Sequence, residues 1–97
     1  MKKLAIALLA VAMPAFSQQL VFKGENVTVR LLEAPCPKPV VDLIQEQHQA
    51  KFRQAEVVFQ GKGYRACWTL VNWNVIVIDE TGDAGEIPAA AFKEEEV

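Results

Sequence analysis

The chain has 97 residues, 52% of them hydrophobic and 23% charged, which excludes a disordered tail and a collagen-like fibre. Ten Lys and Arg against twelve Asp and Glu give a net charge of −2, so no basic excess points to nucleic acid. One His and two Cys leave little material for catalysis or metal binding, and the sequence implies no metal and no cofactor.

Met1-Lys2-Lys3, an apolar run from Leu4 to Met13 and the segment Pro14-Ala15-Phe16-Ser17 make up the three parts of a secretory signal peptide. The lysines stay on the cytoplasmic side while the apolar run enters the membrane as a helix. Pro14 ends that helix, and the small residues Ala15 and Ser17 suit a signal peptidase, so cleavage is expected between Ser17 and Gln18. The run is well short of the ~20 residues of a spanning helix, and no stable membrane anchor is expected after cleavage. Loss of residues 1–17 leaves 80 residues with net charge −4, enough for one small core that needs bracing.

The brace is expected at Cys36 and Cys67. Two cysteines in a small exported domain allow one intramolecular disulfide, closing a loop of about 32 residues with roughly 3–4 kcal/mol of stabilisation. No C-x-x-C is present, and His48 would be the sole base for a reactive thiol.

Gln18–Phe22 is an apolar-leaning lead-in before the turn-like Lys23-Gly24-Glu25-Asn26. Val27–Leu31 alternates as a half-buried strand. Pro35, Pro37 and Pro39 exclude helix and central strand across 34–39, and Pro39 suits the first turn of a helix reaching Lys51. On that helix Val41, Ile44, His48 and Phe52 share one face, which makes His48 a packed or boundary residue rather than a ligand.

Three strands follow as an antiparallel meander, at 54–59, 64–71 and 75–78. Gln60-Gly61-Lys62-Gly63 joins the first two, and the three residues Asn72, Trp73 and Asn74 join the second and third. Val75-Ile76-Val77-Ile78 is apolar at every position and predicts a central strand covered on both faces. A turn over 79–83 leads to a short strand at 84–88 and a single helical turn that docks Phe92. Lys93–Val97 reads as an acidic, frayed tail. The predicted fold is α+β: a four- to five-stranded antiparallel sheet with one packed helix and one disulfide, over residues 18–92 as a single domain.

Asp79, Glu80, Asp83 and Glu86 lack the spacing of a calcium loop, since the twelfth place counted from Asp79 is Ala90. Residues 79–97 carry net −6 and residues 18–78 net +2, an asymmetry that favours a solvated acidic end over steering of a basic partner. Trp73, flanked by Asn72 and Asn74, is the most suggestive single residue. It either folds back along the sheet, the slightly commoner outcome, or stands out as a partner anchor.

Ala66-Cys67-Trp68, Val75-Ile76-Val77-Ile78-Asp79-Glu80, Gly82-Asp83, Ile87-Pro88 and Ala91-Phe92 resemble short exported proteins carried by phages and prophages of Gram-negative bacteria. The likeness spans residues 64–92 and the signal peptide, and departs at Asn72-Trp73, where an Asp-Gly-like turn is expected. It implies a bacterial or prophage origin and a periplasmic setting, and supplies no catalytic residues to carry over. The expectation is therefore a non-enzymatic periplasmic or secreted protein, a phage-derived envelope modifier that binds a host envelope protein. The alternative is an inhibitor of a cell-envelope hydrolase.

Overall fold

The computed structural model describes residues 18–96. The signal segment, with Ala15 and Ser17, lies outside the described residues, and Gln18 opens the first strand. Seven strands follow: β1 Gln18–Lys23, β2 Val27–Pro35, β3 Arg53–Phe59, β4 Lys62–Val71, β5 Asn74–Asp79, β6 Ala84–Pro88 and β7 Lys93–Glu96. All pairings are antiparallel, in the order β6-β5-β4-β3-β2-β1-β7. The two outermost strands, β6 and β7, are joined by only four residues, so the sheet must curl to bring its edges together. The result is a curled half-barrel.

This overturns the predicted α+β fold of four or five strands and one packed helix. The span 39–51 holds only a short helix α1, Lys38–Val41, and a 3₁₀ turn, Glu46–Lys51. Gln45 between them is extended at φ −56°, ψ 138°. The Gln49 side-chain amide donates to the carbonyls of Val41 (3.1 Å) and Ile44 (2.9 Å), satisfying acceptors that a continuous helix would have used itself. The burial stripe moves as well. Val40 is fully buried, Val41, Ile44 and Phe52 are half-buried, and His48 is exposed rather than packed.

Alternation sorts the strand residues onto two faces. The inner face carries the core: Val29, Leu31, Ala55, Ala66, Val75, Val77 and Phe92. Phe92 follows the 3₁₀ turn Ala89–Ala91 as expected, with its ring centroid 5.9 Å from that of Phe22. Trp68 packs against this core, and its indole N–H donates to the Leu32 carbonyl at 2.9 Å. That carbonyl lies where the β2–β3 register breaks between Leu31 and Pro35.

The outer face carries the disulfide. Cys36 and Cys67 are bonded with Cα atoms 5.5 Å apart, and the bond ties the proline segment to the back of β4 beside α1. β5 lies inside the sheet between β4 and β6, one strand from the edge. Its unbroken apolar run is covered on both faces as expected: Val75 and Val77 enter the core, while Ile76 and Ile78 face the segment 44–52.

Lys93–Glu96 does not fray. It pairs with β1 from Val21↔Lys93 to Gln18↔Glu96. Glu95 receives Lys23 Nζ at 2.8 Å and Arg30 Nη1 at 3.0 Å, joining β7 to β1 and β2. These contacts, Lys23 first and Arg30 second, hold the Glu95 carboxyl below its ordinary value of 4.5.

Candidate functional site

The β4–β5 connection is one residue shorter than expected. Val71 pairs with Asn74, leaving only Asn72 and Trp73 between the strands. Both have positive φ, 51° and 66°, as a type I′ hairpin turn requires. Asn tolerates this conformation through its short polar side chain. An indole at φ +66° has no such excuse, and the left-handed region costs a residue with a Cβ roughly 1–2 kcal/mol.

Trp73 does not fold back along the sheet; it is 79% exposed, the highest value among the exposed large hydrophobic residues. Its backbone is nevertheless fixed, because the Trp73 carbonyl accepts the Ala89 N–H at 2.9 Å. Asn74 pairs with Pro88, so the tip is tied to the crossover between β6 and β7. The indole therefore stands on a rigid mount. A tip presented this way has no backbone freedom left to lose when it binds.

Leu70 and Val71, each nearly half exposed, extend the apolar tip down β4. They run into a groove of about 470 Å³ between the outer face of β4–β5 and the segment 44–52. Ile44, Phe52, Ile76 and Ile78 line it, and His48 and Lys51 stand beside them. Leu70 pairs with the buried Val75, yet at the end of β4 it stays nearly half exposed. The groove was not legible in the residue pattern, because it forms only where the 39–51 helix is broken. The continuous apolar run of β5 was the available signal, since one of its two faces had to be covered by something other than the core.

The acidic turn is engaged with itself. Asp79 Oδ1 accepts the backbone N–H groups of Thr81 (2.8 Å) and Asp83 (3.2 Å), together with the Thr81 hydroxyl. Glu80 accepts the Arg65 guanidinium at 2.9 Å, and that side-chain bond, with the Arg65 backbone N–H second, lowers its pKa. Among the described residues no three His, Cys, Asp or Glu side chains gather as a metal site.

Compared with protein-family models, curated proteins and solved structures, the chain matches none. The geometry of the tip and its groove carries the functional argument.

Proposed function

We propose that this is a non-enzymatic exported protein, a phage-derived envelope modifier that acts by binding a host envelope protein through the β4–β5 tip. The observation that carries the reading is Trp73: an indole 79% exposed, at a backbone position that favours glycine, on a hairpin locked from behind. Strained, exposed residues persist where the side chain has work outside the fold. Trp is also among the commonest anchors of protein interfaces. The disulfide supports an oxidising compartment, in line with the signal-peptide pattern of residues 1–17. The resemblance to phage and prophage exported proteins supports the bacterial envelope as that compartment.

A projecting, rigid tip also suits entry into a partner's cleft, which keeps inhibition of a cell-envelope hydrolase as the second reading. Affinity capture from periplasmic extract tests both. The wild-type protein should retain one stable envelope partner, and Trp73→Ala should weaken that contact about 30-fold, the equivalent of about 2 kcal/mol. A hydrolase captured and silenced assigns inhibition. Equal retention by Trp73→Ala removes the tip from the interface and defeats the proposal.

A further inference from the structure

We propose that the half-barrel holds a second, separate site: an inner-face cleft that binds a small amphiphile with an apolar body and a cationic ammonium head. The cleft measures about 490 Å³, inside the range of about 300–1,000 Å³ found for small-molecule sites, and barrel mouths are a usual place for them. Its walls are Val27, Val57, Phe59, Tyr64, Val77 and Ile87. Phe59 is 46% exposed, and Val27, Val57, Tyr64 and Ile87 are all incompletely covered, although they share the face that forms the core lower down. The apolar lining continues the core into open space.

Gly85 keeps that space open. It pairs with Val77 and so shares the inner face, yet a Cβ built on it would meet nothing within 4 Å. A larger residue here would occupy the cleft without a clash.

The chemistry of the rim selects the head group. Asp79 and Asp83 line the cleft, and neither has a cationic side chain within ion-pair distance among the described residues. Asp79 uses one oxygen to hold its turn, whereas the Asp83 carboxylate accepts no hydrogen bond from a described residue. The Tyr64 ring already has the Lys62 ammonium 5.6 Å from its centroid, so that aromatic face is taken and the head group is left to the two carboxylates of the rim. Apolar walls below and two carboxylates without an ion-pair partner above fit a hydrocarbon tail under an ammonium group.

The test uses decyltrimethylammonium, decyl sulfate and decanol below micellar concentrations, titrated into the disulfide-bonded protein and followed by amide chemical shifts. Decyltrimethylammonium should bind saturably at one site, at least tenfold tighter than decyl sulfate, with shifts centred on Tyr64, Val77, Gly85 and Ile87. Asp83→Asn should cut the preference over decyl sulfate at least threefold, and Gly85→Leu should abolish binding while keeping a dispersed, folded spectrum. Decanol binding as tightly as the cation would overturn the head-group assignment. Shifts centred on the 44–52 groove, or binding that Gly85→Leu leaves intact, would overturn the site. If Gly85→Leu does not fold, the shift map of the unaltered protein decides on its own.

Discussion

Two hairpin tips of this half-barrel solve the same geometric problem with different residues. Gln60-Gly61 joins β3 to β4, and Asn72-Trp73 joins β4 to β5; all four residues have positive φ. Each tip is tied to a neighbour, the first by the Gln60 N–H on the Asn26 carbonyl and the second by the Trp73 carbonyl on the Ala89 N–H, both 2.9 Å. Where the first tip places Gly61, at φ +81° with open space around it, the second places a large aromatic. Folding alone explains the glycine. It does not explain the tryptophan, which the backbone tolerates at a cost, and that difference is what the proposed role of the second tip rests on.

The largest expected effect concerns the margin that lets a small domain carry such strain. Replacing both Cys36 and Cys67 by Ser should remove about 3–4 kcal/mol and lower Tm by roughly 12–32 °C. A shift of one or two degrees, read by circular dichroism, would show the bond to be idle. Trp68 supplies the contrast within one residue type. Half-buried against the core and bonded to Leu32, it should cost about 3 kcal/mol when changed to Ala, whereas Trp73→Ala should cost less than about 1 kcal/mol. Urea midpoints of the two variants measure this, and equal losses would break the distinction between a structural and an exposed indole.

Exchanging the residues between tips addresses the comparison directly. Gly61→Trp should destabilise by about 1–2 kcal/mol, because it imports strain with no partner to reward it. Trp73→Gly should stabilise the free protein by up to about 1 kcal/mol while weakening capture of the partner at least as much as Trp73→Ala. A Trp73→Gly protein less stable than wild type would mean that the indole serves the fold after all.

The smallest effect separates the tips by pH. The folded Glu95 pKa lies below 4.5, so its contribution is complete above that value and is lost as pH falls through the folded pKa. Protonation releases Lys23 and Arg30, loosens β7, and is expected to reach Trp73 through the crossover and its Ala89 hydrogen bond. Amide shifts of Ala89 and Trp73 should therefore move below pH 4.5 while Gly61 stays still, and Glu95→Gln should show the moved positions already at pH 7. Equal movement at both tips would disconnect β7 from the β4–β5 tip.

Much of this architecture was local and could be read from residue order. The alternation of 27–31, 54–59 and 64–71, the Gly-bearing turn within 60–63 (tighter in the structure, where Lys62 and Gly63 already belong to β4), the short strand at 84–88 and the docking of Phe92 each depend on neighbours a few residues away. The pairing of Cys36 with Cys67 followed because no other partner existed. Position alone made Trp73 the residue to watch. β1, β7 and the fate of the 39–51 segment were decided by distant contacts. Lys93–Glu96 has poor strand propensity and becomes a strand because Lys23 and Arg30 neutralise Glu95 and the four-residue crossover delivers it to β1. The helical pattern of 39–51 was real but too short to stand alone, and Gln49 capped its pieces instead of extending them. The groove beside the tip follows from that break and the inner cleft from the curl of the sheet, because a hydrophobic pattern specifies which side chains leave water but only the tertiary path decides which of them find no neighbour.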